Sequence, residues 1–512
     1  MLVKTFGSSV QGIEATTIRV EVNVSSGTKY FIVGLPDNAV RESLQRIEAA
    51  IAYIGYKMPR QKIVVNLSPA DIPKEGSAYD LSIAVGILAA SDQISLDAFS
   101  DFMILGELSL DGKIVPIKGV LPIAVQAKKD GLKGIILPRQ NANEAAIVED
   151  LQVYGIENLS ELVNLLNNPS SLEATVVDIK TTFEKQFSYY DVDFSDVKGQ
   201  ENIKRALEIA AAGGHNAILI GPPGSGKTML AKRLPTILPP LTMQESLDTT
   251  KIHSVAGTLG AAHSLMTERP FRSPHHTISD VALVGGGTNP QPGEISLAHN
   301  GVLFLDELPE FKRSVLEVMR QPLESRLVTI SRARFSVDYP ASFMLIAAMN
   351  PCPCGYFNHP EKECICGSNA VQRYLAKISG PLLDRIDLHI EVTPVQFDEL
   401  SQMRVAEKST YIRERVQKAR KIQKQRFEGK THIHSNAQMH SSMVRHICQI
   451  DDASMQLLKT AMEKLGLSAR AYDRILKVAR TIADLENSEK IDSAHIAEAI
   501  QYRSLDKSIW NT

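Results

Sequence analysis

The chain has 512 residues, of which 44% are hydrophobic and 22% are charged, and this composition excludes a largely disordered chain. At roughly 100–200 residues per domain, the length predicts two to four domains. The formal net charge of −2 excludes a strong field over the whole molecule, so any nucleic-acid surface must be local. The first residues lack the apolar segment of a secretory signal, and the longest apolar stretch is shorter than a membrane span. We therefore expect a cytoplasmic protein without membrane contact.

The first part of the chain is predicted to be a mixed α/β domain. Thr16–Val24 alternates apolar and polar residues, which is the period of a half-buried strand, and Val40–Ile51 carries apolar residues at helical spacing. Met103–Ile117 is predicted to be a hairpin with an Asp-Gly turn. The polar stretch that begins at Asn167 marks the end of this domain.

Helical and strand patterns alternate in the second part of the chain. The helical segment Ile203–Ala212 is followed by three apolar strand segments, Ala217–Ile220, Val302–Leu305 and Phe343–Ala347. Such alternation predicts a parallel, doubly wound sheet. After Pro394 the pattern is helical nearly to the end of the chain, which predicts a helical lid.

A phosphate-binding loop follows the first of these strands. The motif G-x-x-x-x-G-K-[ST] lies between a predicted strand and a predicted helix; its residues are Gly221, Pro222, Pro223, Gly224, Ser225, Gly226, Lys227 and Thr228. Backbone N–H groups of such a loop surround the phosphates of ATP. We expect Lys227 to reach the β- and γ-phosphates and Thr228 to bind Mg²⁺. The alternative is a chance match on an ordinary turn.

Two further polar positions follow buried strands. Val302–Leu305 leads into Asp306, expected to bind Mg²⁺, and into Glu307, expected to polarise the attacking water. Without a phosphate-binding loop, this pair would be interpreted as a solvated acidic strand end. Asn350 follows the next strand, at the edge where parallel sheets bind ligands, and we expect it to orient water beside the γ-phosphate.

Four of the five cysteines lie close together in the sequence, as two Cys-x-Cys-Gly pairs: Cys352, Cys354, Cys364 and Cys366. Four soft thiolate ligands suit tetrahedral Zn²⁺ in a closed structural site. Free thiols and an iron–sulfur cluster are the alternatives, and His359, which lies between the pairs, could replace one ligand. Cys448 stands alone in a helical pattern and is expected to be buried apolar filler.

Several long motifs resemble the ComM/YifB family of magnesium-chelatase-like AAA+ ATPases. They are Gly199–Leu207, Arg269–His276, Pro292–His299, Asn350–Gly355 and Ser379–Asp387. The resemblance covers nearly the whole chain and implies a ring, expected to be a hexamer, that hydrolyses ATP between subunits and moves single-stranded or branched DNA. It implies that Asn350 is sensor 1 and that Arg385 is an arginine finger reaching the ATP of a neighbouring chain. Sensor 2 would be Arg470, with Arg474 as its rival; for each arginine, a surface ion pair is the alternative.

Two basic segments are candidate DNA contacts. In this family the segment Leu327–Tyr339 is a hairpin directed into the ring pore, and its alternation would place Arg332 and Arg334 on one face, towards backbone phosphates. The segment Tyr411–Lys430 carries eight Lys and Arg residues and few acids. A solvated hairpin face and a solvated helix face are the respective alternatives.

The N-terminal segment resembles the proteolytic domain of Lon proteases in two stretches, Pro73–Ala78 and Gly106–Ile117. That fold uses a Ser–Lys dyad. Ala78 occupies the position of the nucleophile and Leu121 that of the lysine, so we expect no peptidase activity. A substitute dyad of Ser77 and Lys74 is the alternative.

Together these patterns predict an AAA+ α/β core with a parallel sheet and a helical lid, preceded by an α+β Lon-like domain. The expected divisions are a Lon-like domain at 1–168, a linker at 169–192, an ATPase domain at 193–395 with a cysteine insert at 351–367, and a lid at 396–512. The first functional hypothesis is a DNA branch-migration or helicase motor that acts in natural transformation. A magnesium-chelatase-like ATPase that remodels a protein partner is the second, and an ATP-dependent protease is the third.

Overall fold

A computed structural model describes residues 1–179, 183, 190–260, 264–287, 290–332, 335–357, 359, 361–394, 406–430 and 433–503. The chain forms two compact units. Unit 1 comprises Met1–Gln186 and Met243–Thr267, and unit 2 comprises Phe187–Thr242 and Glu268–Thr512. The division expected from the sequence had placed residues 243–267 in the ATPase domain, whereas the structure groups them with the N-terminal segment.

The N-terminal segment of unit 1 alternates strands and helices. In chain order they are β1 (Leu2–Gln11), β2 (Glu14–Ser25), β3 (Tyr30–Val33), α1 (Asn38–Tyr53), β4 (Lys62–Ser68), α2 (Asp80–Ala90), β5 (Phe102–Ile104), β6 (Glu107–Leu108), β7 (Ile114–Val115), α3 (Val120–Lys129), β8 (Gly134–Pro138), α4 (Arg139–Ala145), β9 (Gln152–Ile156) and α5 (Leu159–Asn167). Seven strands form one mixed sheet in the order β3-β4-β2-β1-β5-β8-β9. Every residue of α2 is buried, which places this helix in the core of the unit.

The predicted hairpin at Met103–Ile117 is only partly present. Its turn joins β6 and β7, which pair antiparallel. The residues of β5, by contrast, are all buried and pair in parallel with β1 and β8. The buried β5 belongs to the main sheet, so the hairpin begins at Glu107 rather than at Met103.

The rest of the chain contains the following elements, all in unit 2 except α8: α6 (Glu201–Gly213), β10 (Ala217–Ile220), α7 (Lys227–Arg233), α8 (Met243–Ala256), β11 (Phe271–Arg272), α9 (Asp280–Val284), β12 (Gly285–Gly286), β13 (Gln291–Pro292), α10 (Glu294–Leu297), β14 (Val302–Leu305), α11 (Arg313–Val318), α12 (Arg320–Ser325), β15 (Leu327–Arg332), β16 (Phe335–Pro340), β17 (Met344–Met349), α13 (Ser368–Leu375), α14 (Gly380–Leu383), β18 (Leu388–Glu391), α15 (Ser409–Arg426), α16 (Ser441–Ile447), α17 (Asp452–Leu465), α18 (Ala469–Leu485) and α19 (Ser493–Gln501). The predicted strands and helical C-terminal region are therefore present.

The main sheet of unit 2 has the strand order β11-β14-β17-β10-β18. All of its pairings are parallel, as the sequence predicts. Residues of α15 and α18 share one hydrophobic core with the sheet, so the C-terminal helices are packed as part of unit 2. In the described part of the chain, no helix has both the length and the apolar character needed to cross a bilayer.

Candidate nucleotide-binding site

The phosphate-binding loop begins where the fully buried strand β10 ends. Gly224 and Gly226 have φ angles of 77° and 85°, a left-handed conformation that glycine adopts without steric cost. A Cβ added at Gly224 would meet no heavy atom within 4 Å, so the loop surrounds open space. This open cradle at the start of α7 fits a phosphate chain, because helix N-termini present free N–H groups and positive partial charge.

Lys227 is held in the loop by three acceptors. Its Nζ donates to the carbonyls of Gly221 at 2.7 Å and Pro222 at 2.8 Å, and to Oδ1 of Asn350 at 3.1 Å. Burial lowers the pKa of Lys227, and the charge of Asp306 opposes this shift. Lys227 and Asn350 are far apart in the sequence, and the structure brings them together at one edge of the sheet.

The two expected magnesium ligands are in direct contact. Thr228 Oγ1 donates to Asp306 Oδ2 at 2.6 Å. The pair combines a hydroxyl and a carboxylate oxygen, which are ligands that Mg²⁺ prefers. Together with the open cradle and Lys227, this donor set fits Mg²⁺-bound ATP.

Glu307 has an unusual backbone conformation. Its φ angle is 54°, and a left-handed residue other than glycine costs roughly 1–2 kcal/mol. Strain of this kind is concentrated at functional sites. The Glu307 side chain is 61% exposed, and its Oε2 lies 3.2 Å from Nδ1 of His276. The strained backbone therefore presents an accessible carboxylate beside a histidine.

Sequence reasoning missed two residues of this site. His276 belongs to a motif that was used only to identify the family, and Gln200 belongs to another. Gln200 Nε2 donates to the carbonyl of Ser225 at 2.9 Å, which anchors the phosphate-binding loop to the start of α6. In the sequence, each of these residues is recognisable only as a polar residue inside a family motif. The fold is needed to show that both lie at the nucleotide site.

The structure places Arg385 away from solvent. The residue is 7% exposed, its guanidinium donates to the carbonyl of Pro381, and it forms an ion pair with Glu324. Glu324 itself is 56% exposed. Arg385 must exchange this partner to reach a neighbouring chain, so its role as an arginine finger stays a prediction.

The two rivals for sensor 2 have different surroundings. The Arg470 side chain is 62% exposed and lies 4.0 Å from Asp384. Arg474 instead forms an ion pair with the buried Asp387. Burial raises the pKa of Asp387, but Arg474 and His215 more than offset this effect and hold it well below its usual range. Arg474 is thus committed to a buried charge, whereas Arg470 is accessible.

The candidate DNA hairpin pairs as predicted. β15 and β16 are antiparallel, with Arg332 opposite Phe335. Arg334 lies outside the described residues, and for Arg332 only the backbone is described.

The basic segment forms α15, and several of its arginines serve internal contacts. Arg415 pairs with Glu208 and Glu407, and Arg426 pairs with the buried Asp484. These side chains hold the helix in unit 2, so the count of basic residues overstated the charge available to DNA.

The Lon-like positions in unit 1 carry no Ser–Lys pair. Ala78 packs on an apolar cluster, and Leu121 is fully buried. The Ser77 hydroxyl donates to Glu107, while Nζ of the buried Lys74 donates to the carbonyl of Pro69. The substitute dyad therefore has its two members engaged with different partners.

The four clustered cysteines converge. Their Sγ atoms all lie within 4.8 Å of one another, and Cys352 Sγ is 3.3 Å from Cys354 Sγ and 3.7 Å from Cys364 Sγ. His359 accepts two backbone N–H groups at Nδ1 and is not a member of this group. The set of side chains that converge is thus four thiols.

Comparison with known proteins identifies the family. A family model described as magnesium chelatase, subunit ChlI, matches residues 193–400. Two further models, described as subunit ChlI of Mg-chelatase and as the ChlI C-terminal part, match residues 20–141 and 406–503.

The relatives include full-length matches. Competence protein ComM of Haemophilus influenzae is 44% identical over 502 residues, which cover 98% of this chain and 97% of ComM. The uncharacterized protein YifB of Escherichia coli K12 is 42% identical over 97% of this chain and 96% of YifB. Lon protease 2 of Bacillus subtilis is 24% identical over 177 residues, or 33% of this chain and 31% of that protease. On these matches and the geometry of the loop, the chain belongs to the ComM/YifB family of magnesium-chelatase-like AAA+ ATPases.

Proposed function

We propose that the protein is an ATP-hydrolysing ring motor that drives DNA branch migration or unwinding in natural transformation and recombination. The observation that supports ATP hydrolysis is the convergence of Lys227, Thr228, Asp306 and Asn350 at one edge of a parallel sheet. The support for a DNA substrate is the full-length similarity to a protein named for competence.

The residues divide the work of hydrolysis. Mg²⁺ neutralises charge on the β- and γ-phosphates when it is bound with ATP. Lys227 exchanges its loop carbonyls for phosphate oxygens, and Thr228 and Asp306 hold the metal. Glu307 accepts a hydrogen bond from the attacking water and acts as its general base. His276 orients the Glu307 carboxylate. Asn350, released by Lys227, orients the same water.

A neighbouring chain of the ring supplies the last positive charge of the site. In this proposal Arg385 of a neighbouring chain stabilises the phosphoryl transition state, and Arg470 assists it. An arginine that arrives from another chain makes hydrolysis dependent on assembly. Each nucleotide site is then completed only between two chains, for which a hexamer is the expected closed arrangement.

DNA would be contacted from the pore by the β15–β16 hairpin. Arg332, at the end of β15, and Arg334, which lies outside the described residues, would meet backbone phosphates, which are recognised without regard to sequence. The expected substrates are single-stranded or branched DNA.

A magnesium-chelatase-like ATPase that remodels a protein partner is the second candidate. It is favoured by the family models, which are all named for the chelatase subunit and together match most of the chain. The two candidates share the nucleotide site and differ in what stimulates it.

Steady-state ATP hydrolysis, measured with and without single-stranded and branched DNA, separates the candidates. We expect DNA to stimulate the rate. In Glu307→Gln we expect the rate to fall by roughly 10²–10⁴-fold, the usual contribution of a general base. Glu310→Gln is the matched control, because Glu310 is an acid three residues further on that pairs with the half-exposed Lys377. A rate that is indifferent to DNA in an assembled ring would overturn the DNA proposal and favour a protein partner.

A further inference from the structure

The cysteine cluster lies between two parts of the nucleotide site. The loop that carries it starts directly after Asn350 and ends at α13. The backbone of Asn350 interacts with the hydroxyl of Tyr374, in α13, and opposes the rise in pKa that burial of this hydroxyl causes. Both ends of the loop therefore return to the residue that contacts Lys227.

The same loop packs on the phosphate-binding loop. Gly355 follows Cys354 directly and has a φ angle of 85°. A Cβ at this position would lie 2.4 Å from Cδ of Pro223, far inside van der Waals contact. Only glycine fits here, so the cysteine loop and the phosphate-binding loop are closely packed at this contact.

The thiols have the spacing of a metal centre. In a tetrahedral Zn²⁺ site with Zn–S bonds of about 2.3 Å, the sulfurs lie about 3.8 Å apart. Three of the observed Sγ separations are 3.3, 3.6 and 3.7 Å. These are too long for a disulfide, whose sulfurs are about 2 Å apart, and all four cysteines are free thiols.

We propose that Cys352, Cys354, Cys364 and Cys366 bind one Zn²⁺ ion, and that this ion holds Gly355 against Pro223 and thereby positions the phosphate-binding loop and Asn350. We assign the four cysteines and Gly355 as positioning residues, because they would act on the nucleotide site through Pro223 and Asn350. The inference rests on the proposed ATP hydrolysis. It adds that a metal outside the reaction determines whether the nucleotide site is correctly formed.

The first experiment measures metal and activity in the same samples. Elemental analysis of the purified 512-residue chain should find about one zinc per chain, the content of a site of four thiolates. Exchange with Co²⁺ should give the visible absorption of tetrahedral thiolate coordination. The variant Cys364→Ser/Cys366→Ser should lose the metal. The matched control is Cys448→Ala, which removes the buried thiol outside the cluster and should retain it.

The second experiment keeps the thiols and changes the contact. In Gly355→Ala we expect normal zinc content and thermal unfolding that stays cooperative but occurs at a lower temperature, because alanine is strained at this φ angle. We also expect weaker binding of a fluorescent ATP analogue and a roughly 10–100-fold lower kcat, the effect of misplacing a site by about 1 Å. Gly367→Ala lies in the same loop, and Gly429→Ala has a similar φ angle of 79°; neither added Cβ meets an atom within 4 Å. Both controls should keep the ATP affinity and kcat of the unmodified protein, and Gly429→Ala should lose only the roughly 1–2 kcal/mol of stability that a left-handed alanine costs.

The outcomes separate this inference from the proposed function. A protein that hydrolyses ATP but contains no zinc, or whose cysteine and Gly355 variants hydrolyse ATP normally, overturns the inference and leaves the ATPase proposal standing. A zinc-loaded, assembled protein that hydrolyses no ATP under any condition overturns the ATPase proposal. The inference is supported if the protein binds zinc and if Gly355→Ala loses nucleotide affinity while Gly367→Ala and Gly429→Ala keep it.

Discussion

In unit 1 the polar side chains at the Lon-like motifs donate to other groups of the same unit: Ser77 to Glu107, and the buried Lys74 to a backbone carbonyl. In unit 2, Lys227 also donates to carbonyls, but these line an open cradle. Thr228 and Asp306 likewise bond to each other where a metal would take both. The first set is committed to the fold and the second can be exchanged for a ligand.

The contrast shows why a shared fold does not carry a shared activity. About a third of the chain is similar to part of a Lon protease, but its Lon-like motifs lack the Ser–Lys pair of that fold. Among the described residues of these two sets, those of the phosphate-binding loop in unit 2 border open space that a ligand could fill, whereas Ser77 and Lys74 bond within unit 1. Four substitutions and one pH dependence test this contrast, beginning with the largest expected effect.

Arg385 is the residue at which committed and exchangeable roles are hardest to tell apart, because it is buried and paired. If it serves a neighbouring chain, Arg385→Ala should lower kcat by about 10³-fold or more, with little change in the urea midpoint. Mixing this variant with Lys227→Ala should restore part of the activity, because one chain then supplies the loop and the other supplies the arginine. ATP turnover across mixing ratios measures this.

The opposite result has a clear meaning. If Arg385→Ala unfolds at markedly lower urea and mixing restores no turnover, Arg385 is a structural partner of Glu324 and belongs with the committed residues. Glu324→Gln is the control for the pair. It removes the carboxylate charge but keeps a side-chain oxygen that can accept from the buried Arg385, so the stability loss should be smaller than the roughly 3–5 kcal/mol of a buried charge left without a partner.

Arg470 and Arg474 extend the test to the lid. Arg474→Ala leaves Asp387 buried without its main ionic partner, and this should lower the free energy of unfolding by roughly 3–5 kcal/mol at pH 7. Arg470→Ala should leave stability unchanged and lower only the ATPase rate. Urea unfolding of both variants measures the difference; equal stability losses would contradict the assignment of Arg474 to the fold.

The same pair predicts a pH dependence. Arg474 and His215 hold the pKa of Asp387 below its usual range in the folded protein. A depressed carboxyl pKa stabilises the fold fully above the unfolded-state value of about 3.9 and progressively less as the pH falls below it. The stability gap between the unmodified protein and Arg474→Ala should therefore narrow as the pH falls from 6 towards 3, and a gap that widens would be inconsistent with this origin.

The sequence could predict what depends on local pattern. The strands at Ala217–Ile220 and Val302–Leu305 have the predicted bounds, because short apolar runs between turn motifs have few other ways to fold. It could not predict contacts between distant segments. Examples are the ion pair of Arg385 with Glu324 and the contact of Gly355 with Pro223.

The sequence could not predict that α8 belongs to unit 1, because this also depends on contacts between distant segments. No helix is predicted from the sequence at Met243–Ala256, because the apolar residues of this segment do not follow a clear helical period. In the structure Ser254 of α8 donates to Glu144 and accepts from the backbone of Gly119. Both partners lie more than 100 residues earlier in the chain, and no local pattern links them to this helix.

Ser77 should show the smallest effect, and it tests the committed side of the comparison. Ser77→Ala removes one partly buried hydrogen bond, to Glu107, and should cost about 1 kcal/mol of stability. It should change neither ATP turnover nor the absence of casein cleavage that we expect of the unmodified protein. Glu21→Gln is a suitable control, because it alters a different carboxylate that accepts a hydrogen bond in the same unit. Casein cleavage by the unmodified protein that disappears in Ser77→Ala would show that Ser77 is exchangeable after all, since a hydroxyl committed to Glu107 has no lysine to activate it as a nucleophile.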